Sequence, residues 1–323
     1  MHVKSFWHWA QIIYRMLRLR TVLLMVTFEA IGFEAVHPSR IIPFKFLLMA
    51  LMISALYVCA TCFNDVADEE IDKVNLPNDL SRPLVTTAVT AKQLQILGLV
   101  ALFVALIAAA LTGPIFVLFM IMGAGLNIFY SVPPIRMSYR GIFASLWLSS
   151  SYVTIPFWTG ALIGSAAIPG RIWLLFLGTY SCFVSRILLK DFRDYEGDKK
   201  FRKLNFLVRH GPELTCAVSG ACWLIGDIIL SLYFYRHSLV LVGLMQLLSS
   251  IIFYQLYKLS WDKRYQTQLR QVAIVGRMGN AITLAMLTSL TLEAFNYSEV
   301  QNYIFIITVG LMVAITAIDI KAS

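Results

Sequence analysis

Charged residues are scarce in this 323-residue chain. Asp, Glu, Lys and Arg make up 14% of it, and apolar residues make up 59%. Soluble proteins have about 25% charged and about 45–50% apolar residues. A soluble domain cannot hide this much apolar surface from water, because too much of it would remain on the outside. The scarcity of charge therefore excludes a disordered regulator and a soluble nucleic-acid binder, and it predicts a multi-span membrane protein.

Cysteine is also rare. The five cysteines lie in apolar stretches, at Cys59, Cys62, Cys182, Cys216 and Cys222. An odd number within predicted helices indicates packing and argues against a disulfide scaffold or a zinc site. Cys59 and Cys62 have the spacing of a redox pair, but no thioredoxin-like βαβ pattern surrounds them. We therefore expect no redox site.

The sequence is rich in long apolar runs. Ten stretches can each cross a bilayer core, which needs about 20 helical residues: 21–36, 46–63, 93–111, 114–130, 142–164, 172–189, 214–234, 238–257, 271–292 and 302–319. The ninth contains Arg277 and Asn280, which leaves nine or ten spans open. The expected fold is an all-α, polytopic bundle of nine to ten helices, forming a single domain over 1–323 around a central cavity that opens to the cytoplasmic side.

The basic residues indicate the orientation. With the N-terminus inside, the inner segments hold 21 Lys and Arg and the outer segments hold four, while two lie within spans. This bias is typical of cytoplasmic loops. It accounts for the net charge of +9 without a nucleic-acid partner. The N-terminus and the two long polar loops, at about 64–92 and 190–212, are therefore predicted to be cytoplasmic, in the cytoplasmic membrane if the source is bacterial.

The carboxylates are concentrated in two windows. Ten of the eighteen acidic residues are Asp65, Asp68, Glu69, Glu70, Asp72 and Asp79 in the first window, and Asp191, Asp194, Glu196 and Asp198 in the second. In each window three aspartates fall at positions i, i+3 and i+7, which share one face of a helix. Four predicted helices separate the windows. Because that number is even, both acidic stripes are expected on the same side of the membrane and across one cavity.

Like charges on one helix face need a compensating cation. One interpretation is a solvated surface network with Arg82, Lys190 and Arg193. The other is a divalent metal, since hard oxygen ligands select Mg²⁺ or Ca²⁺, and Mg²⁺ commonly joins one or two carboxylates to a substrate phosphate. Arg82 and Lys190 would then contact phosphate oxygens. The repetition of the spacing favours the metal and phosphate site.

Three segments of the chain carry distinctive motifs. Residues 64–72 read NDVADEEID, an intact NDxxDxxxD motif, and an arginine–proline pair follows at Arg82 and Pro83. Residues 190–198 read KDFRDYEGD, which contains DxxDxxxD, and residues 130–136 between them read YSVPPIR. In these motifs the chain resembles the UbiA-type superfamily of intramembrane prenyltransferases, many members of which carry a tyrosine–serine–x–proline–proline loop between two aspartate motifs. The resemblance covers about residues 15 to 260.

The resemblance implies a helical bundle in which each motif holds Mg²⁺ against the diphosphate of an isoprenyl donor. Its residues would be Asn64, Asp65, Asp68 and Asp72 at the first site, Asp191, Asp194 and Asp198 at the second, and Arg82 and Lys190 on the phosphates. Tyr130 and Arg136 would border the acceptor, or would anchor the helix ends at the membrane interface. The resemblance implies the metal roles; not every aspartate need touch the ion.

Two further features bear on the site. Many members carry glycine and threonine as FGxxT after the second motif, where this chain has Arg202 and Asn205. Glu29 and Arg186 fall within predicted spans, and ionisable groups at membrane depth are functional hypotheses by default. Glu29 would position or deprotonate an acceptor hydroxyl, or both residues would pair within the bundle.

The leading hypothesis is an Mg²⁺-dependent prenyltransferase that moves an isoprenyl group from a polyprenyl diphosphate, such as geranylgeranyl or farnesyl diphosphate, to a hydrophobic or aromatic acceptor. A terpene cyclase on the same scaffold would ionise the same donor without an acceptor. A transporter or a non-catalytic lipid-binding protein would use the acidic stripes for cations alone. The acidic stripes beside long basic loops favour the enzyme, because transporters place their sites near the membrane midplane.

Overall fold

The computed structural model describes residues 2–36, 43–77, 79–163, 167–294, 300 and 303–309, and these contain helices and no β-strand. The named helices are α1 His2–Leu17, α2 Leu19–Val36, α3 Pro43–Ala67, α4 Glu69–Asn75, α5 Ala91–Thr112, α6 Pro114–Ser131, α7 Ile142–Ser149, α8 Ile155–Ala161, α9 Ile172–Lys200, α10 Phe206–Phe234, α11 Leu239–Trp261 and α12 Tyr265–Ala294.

Seven helices of the described chain are long and apolar enough to cross a membrane, namely α3, α5, α6 and α9 to α12. The prediction of an all-α, multi-pass membrane bundle is confirmed. The predicted span at 271–292 is also a helix of this kind. It belongs to α12, a helix of thirty residues that Arg277 and Asn280 do not interrupt.

Three of the ten predicted spans are not among these seven. Helix α2 carries Arg20, Glu29 and Glu34 within eighteen residues. The stretch predicted at 142–164 is divided into α7, a π-helical turn over Ser150–Thr154, and α8. Most of the stretch predicted at 302–319 lies outside the described residues. Its described part, 303–309, is helical.

Helix α5 shows how the apolar composition is used. Its buried positions are mostly small, with Gly98, Ala101 and Ala105 facing the bundle. Large apolar side chains are on the other side, where Phe103 is 64% and Leu111 is 70% exposed. Small residues let helices approach closely inside a membrane, while lipid takes the place of a buried core for the large side chains. The exposed apolar surface is therefore the surface that a bilayer would cover.

Long helices that follow one another in the chain pack as pairs: α3 with α5, past the short α4, α9 with α10, and α11 with α12. Helix α2 packs against α8 and α12, and α12 also packs against α9, so the C-terminal helices close on the N-terminal ones. One core cluster joins α2 to α7–α12, and a second joins α2, α3, α5, α6 and α8. Both clusters contribute to the wall of one cavity, through Tyr57 of the second cluster and Leu148 and Phe183 of the first.

The two aspartate motifs occupy different local structures. The first begins in the last turn of α3 and continues into α4, so that Asp65 and Asp72 lie on either side of the break at Asp68. The second lies entirely in the last turns of α9. The chain at 190–212 is therefore not one loop as predicted. It is helical to Lys200 and again from Phe206, because the i, i+3, i+7 aspartates continue the helical repeat of α9.

The packing of α2 against α8 depends on two glycines. A Cβ on Gly160 would overlap the carbonyl oxygen of Glu29, and a Cβ on Gly32 would overlap that of Phe157. We expect Gly160→Ala to cost about 1–3 kcal/mol, because backbone atoms cannot move aside as a flexible side chain can. The temperature at which half of the detergent-solubilised protein loses monodispersity should fall by several degrees.

The matched control for this variant is Gly243→Ala in α11, where a Cβ would have no neighbour within 4 Å. Alanine is the better helix former by about 1 kcal/mol, so this change should leave the temperature unchanged or raise it. Equal behaviour of the two variants would show that the α2–α8 contact does not limit stability.

Candidate functional site

A cavity of about 370 Å³ lies within the helical bundle. Its polar residues include the carboxylates Asp68, Asp72, Asp194 and Asp198 and the cations Arg18, Arg82, Arg186, Lys190, Arg193 and Lys203. Its apolar and aromatic residues include Leu24, Tyr57, Leu148, Tyr152, Phe183 and Ile187. Two aspartates of each predicted stripe thus line one cavity, Asp68 and Asp72 from the first and Asp194 and Asp198 from the second.

Asp65, in the last turn of α3, is paired with two guanidinium groups. Arg18 Nη2 donates to both of its carboxylate oxygens, at 2.7 and 2.8 Å. Arg82 Nη1 also donates to Asp65 and lies 3.0 Å from Asp72 Oδ2. Asp65 is 2% exposed and is not one of the residues that line the cavity. It therefore fixes Arg18 and Arg82, which do line it.

Lys203 connects the two motifs. Its Nζ lies 2.8 Å from Asp68 Oδ2 and 3.7 Å from Asp198 Oδ1. Burial disfavours the charged ammonium, yet Asp68 and Asp198 hold the pKa of Lys203 well above its ordinary value. The amide of Asn64 donates to the same oxygen of Asp68 at 3.1 Å and to Ser131 Oγ at 3.1 Å. A cation and an amide thus fix the carboxylate of Asp68 at the junction of α3, α6 and α9.

The second motif is organised in the same way. Lys190 Nζ lies 2.6 Å from Asp191 Oδ1, and Arg193 Nε lies 3.0 Å from Asp194 Oδ1. Asp198 accepts a hydrogen bond of 2.7 Å from the side-chain amide of Asn205. Asp191 is buried and, like Asp65, does not line the cavity. Each motif therefore has a first aspartate that holds cations and later aspartates that face the cavity.

Asn75 holds the two motif segments together. From the last turn of α4, its amide donates to the carbonyl oxygen of Asp194 at 2.9 Å and accepts from the backbone N–H of Gly197 at 2.7 Å. A Cβ on Gly197 would lie 2.6 Å from the Asn75 side chain. Position 197 therefore needs glycine, because the amide occupies the space of a side chain.

Three buried carboxylate oxygens of cavity-lining residues accept no hydrogen bond within the described chain: Asp68 Oδ1, Asp72 Oδ2 and Asp198 Oδ1. Two of them still face a cation, since Arg82 Nη1 lies 3.0 Å from Asp72 Oδ2 and Lys203 Nζ lies 3.7 Å from Asp198 Oδ1. Burial, together with the nearby Asp65 and Asp68, raises the pKa of Asp72 to about 7 against the attraction of Arg82. Hard carboxylate oxygens whose ionised form needs positive charge suit Mg²⁺. Within the described residues no three acidic, histidine or cysteine side chains already surround a single point. The donor set fits the ion, but the carboxylates now face Lys and Arg.

The three residues predicted on the acceptor side lie in different places, and only one of them lines the cavity. Tyr130 is buried in the cavity wall, with Lys190 Nζ 5.9 Å from its ring centre. Arg136 is not in the cavity wall; its guanidinium lies over the Tyr139 ring and reaches the carbonyl oxygen of Ala67 at 3.5 Å. Glu29 is fully buried on α2, accepts from Thr159 Oγ1 at 3.3 Å, and does not line the cavity either.

Three residues at this site were not assigned a role from the sequence: Arg18, Asn75 and Lys203. Arg18 and Lys203 belong to the basic residues of the inner segments, where topology alone accounts for them equally well. Asn205 was noted as a departure from the FGxxT pattern, without a role. The departure from FGxxT carried a signal. Arg202 has a left-handed φ of 54°, a conformation that glycine adopts freely. Asn205 caps α10 through the Val208 N–H at 2.8 Å and also contacts Asp198.

The fold and the site define a multi-pass, α-helical membrane protein whose carboxylates and cations meet in one cavity within the bundle. The family described as the UbiA prenyltransferase family matches residues 23–280. The chain belongs to the UbiA prenyltransferase family.

The five cysteines of the chain are free, and four of them are buried, as expected for packing.

The chain is similar to digeranylgeranylglyceryl phosphate synthase of Metallosphaera sedula, with 28% identity over 52% of this chain and 57% of that protein. It is also similar to the chloroplastic chlorophyll synthase of Arabidopsis thaliana, with 24% identity over 66% of this chain and 58% of that protein. The chain thus spans less than two thirds of the length of each of these relatives.

Among solved structures, the fold matches a UbiA homologue from Archaeoglobus fulgidus bound to DMAPP and Mg²⁺. The TM-score is 0.61 at 20% identity, and the match covers 84% of this chain and 99% of that one. At this identity the likeness establishes the shared fold.

Proposed function

We propose that this protein is an Mg²⁺-dependent prenyltransferase, which moves an isoprenyl group from a polyprenyl diphosphate to a hydrophobic or aromatic acceptor and releases diphosphate. The observation that carries the proposal is the single cavity in which two aspartate motifs from separate helices meet among six cations, with aromatic and apolar walls beyond them. The synthases to which the chain is similar, and the DMAPP and Mg²⁺ in the A. fulgidus structure, support the same chemistry.

The residues divide into two groups in this proposal. Asp68, Asp72, Asp194 and Asp198 line the cavity and would hold Mg²⁺, with Asn64 fixing Asp68. Asp65 and Asp191 act through the cations they hold, respectively Arg18 with Arg82, and Lys190. When bound, Mg²⁺ neutralises charge on the diphosphate and on the carboxylates. The cations compensate the carboxylates of the free protein and become available to the phosphate oxygens when donor and metal enter.

The chemical step breaks the bond between C1 of the isoprenyl group and the diphosphate oxygen. The electron pair leaves with the diphosphate, where Arg82, Lys190 and Lys203 stabilise the developing negative charge. The allylic cation is then captured by an electron pair of the acceptor, which forms the new bond and loses a proton. The released diphosphate, the prenylated acceptor and the proton that the acceptor loses together account for the atoms and charge of both substrates.

The aromatic wall suits a cationic intermediate. Tyr57, Tyr152 and Phe183 form a continuous row, with ring centres 5.8 Å apart at each contact. All three line the cavity. The faces of aromatic rings attract cations, and the apolar surroundings exclude water that would otherwise capture the cation. The prenyl chain would lie along this wall.

We also propose that the N-terminus and the aspartate-bearing segments face the cytoplasm. The proposal rests on the distribution of Lys and Arg, with 21 in the inner segments and four in the outer ones. A water-soluble donor headgroup would then enter from the cytoplasmic side.

The function is tested with purified protein, labelled geranylgeranyl diphosphate and Mg²⁺, with and without an extract of lipids and aromatic compounds. Diphosphate release and a labelled organic product that depend on the extract are expected. A hydrocarbon or terpene alcohol formed without extract would identify a cyclase. The absence of diphosphate release with donors of five to twenty-five carbons would contradict the enzymatic function.

A further inference from the structure

Arg186 lies in the cavity wall within the membrane-spanning part of α9. It precedes Lys190 by four residues, which places it on the same face of α9 and about 6 Å further along the axis, away from the aspartate motif. A charged group at membrane depth is costly and is retained where it has a task. The positive charge of Arg186 therefore needs a compensating group.

The other cations that line the cavity each have a carboxylate partner within salt-bridge distance. These pairs are Arg18 with Asp65, Arg82 with Asp65 and Asp72, Lys190 with Asp191, Arg193 with Asp194, and Lys203 with Asp68. In the part of the chain that the structure describes, Arg186 has no such partner. Its Nη2 instead donates to the neutral side chain of Asn280 on α12 at 2.5 Å.

The surroundings hold the Arg186 guanidinium in place without neutralising it. Its central carbon lies 5.6 Å from the centre of the Phe183 ring. A Cβ on Gly279 would lie 2.9 Å from Arg186 Cδ, so the glycine provides the space for the side chain. The guanidinium has five N–H donors, of which Asn280 engages one. A fixed planar guanidinium of this kind matches a carboxylate or a phosphate group in a bidentate manner.

This position fits the acceptor better than the donor diphosphate. The aspartate end of the cavity has its own five cations, whereas Arg186 is beside the aromatic row where the allylic cation would form. An uncompensated guanidinium there would repel that cation. An anionic group bound to Arg186 would cancel the repulsion and place the rest of the acceptor next to the reacting carbon.

We propose that Arg186, positioned by Asn280 and Gly279, binds an anionic group of the acceptor, either a phosphate or a carboxylate. The protein thus selects acceptors that combine an apolar body with one negative charge. This inference rests on the proposed transferase function and adds the chemical class of the acceptor to it.

The test measures binding of three labelled twelve-carbon probes, dodecyl phosphate, dodecanoate and dodecanol, to the full-length protein in phosphatidylcholine nanodiscs. Saturating Mg²⁺ and inorganic diphosphate are present, so that the aspartate end is occupied. The wild type is expected to bind at least one anionic probe about tenfold or more tightly than dodecanol, as for a charge-assisted pair. Arg186→Gln should abolish this preference, and Arg186→Lys should retain part of it, because the charge remains while the bidentate geometry is lost.

The matched control is Arg277→Gln, which removes an arginine of α12 that does not line the cavity, and it should keep the wild-type preference. Whichever anionic probe loses more affinity in Arg186→Gln identifies the source as phosphate or carboxylate. An equal affinity of the wild type for all three probes, or a preference that survives Arg186→Gln, would overturn the inference.

A separate measurement keeps the two proposals distinguishable. Binding of labelled geranylgeranyl diphosphate with Mg²⁺ should be unchanged in Arg186→Gln. If the wild type does not bind this donor, the proposed function fails whatever the probes show. If Arg186→Gln loses donor binding but keeps the headgroup preference, Arg186 belongs to the donor site and the acceptor inference is wrong.

Discussion

Replacing Asp68 by asparagine is expected to lower diphosphate release from geranylgeranyl diphosphate by about 100-fold or more, the loss typical of removing one preorganised electrostatic group at the reacting centre. Asp68 lines the cavity, has an unpartnered buried oxygen and shares Lys203 with the second motif. Asparagine keeps the shape but removes the charge that attracts the metal. Asp198→Asn should have a similar effect, because Asp198 Oδ1 faces the same ammonium group at 3.7 Å and accepts no hydrogen bond.

The matched control is Glu70→Gln, which neutralises a carboxylate two residues from Asp68. Glu70 points to the exterior and pairs with Lys73 at 2.7 Å. It should retain the wild-type rate. The double variant, which combines Asp68→Asn and Asp198→Asn, should be at most a few-fold slower than the slower of the two single variants. Residues that act as one unit have non-additive effects.

Both variants leave Lys203 with less compensation, so their thermal stability must be compared with that of the wild type. A folded Asp68→Asn protein that releases diphosphate at the wild-type rate would contradict the assignment of the motif. Equal losses in Asp68→Asn and Glu70→Gln would indicate a general effect of charge and not a site.

Removal of divalent metal is expected to abolish diphosphate release, and addition of Mg²⁺ should restore it. Four carboxylates line the cavity, and the donor brings further negative charge of its own. Lys and Arg already compensate most of the carboxylates, so a diphosphate would meet too little positive charge without added cations. Mg²⁺ joins carboxylate and phosphate oxygens and so supplies the missing charge.

The measurement is the initial rate of diphosphate release after dialysis against EDTA, followed by titration with Mg²⁺. Asp72→Asn should require about ten times more Mg²⁺ for half-maximal rate, whereas Glu70→Gln should follow the wild-type curve. A rate that persists in excess EDTA would show that the cationic side chains alone support ionisation of the donor.

The motif residues were predictable because short-range geometry places them. The i, i+3, i+7 spacing puts three aspartates on one helix face, and an even number of intervening helices puts both stripes on one side of the membrane. The partners of those aspartates were not predictable. Arg18 lies 47 positions from Asp65, and Lys203 lies 135 positions from Asp68. No local pattern relates residues so far apart, and both were hidden among basic residues that topology already explained.

The roles within each motif were also decided by the tertiary structure. The sequence treats Asp65 and Asp68 as equivalent members of one motif. The helix break after Ala67 turns Asp68 and Asp72 toward the cavity, while Asp65 faces Arg18 and Arg82 behind it. Likewise Glu29 and Arg186 were comparable as charges within predicted spans. Only the packing of α8 and α12 places Glu29 against Thr159 and Arg186 in the cavity wall.

Composition and helical periodicity are local properties, so they were enough to predict a multi-pass helical membrane protein with two acidic motifs on one side. The sequence left nine or ten spans open, and it did not show that the stretch predicted at 142–164 forms α7, a π-helical turn and α8 over Ile142–Ala161. Only the tertiary structure shows which carboxylates face the cavity, and which cation there lacks a carboxylate partner among the residues that the structure describes. These depend on contacts between distant helices, whose free energies come from packing and charge pairing that a linear pattern does not encode.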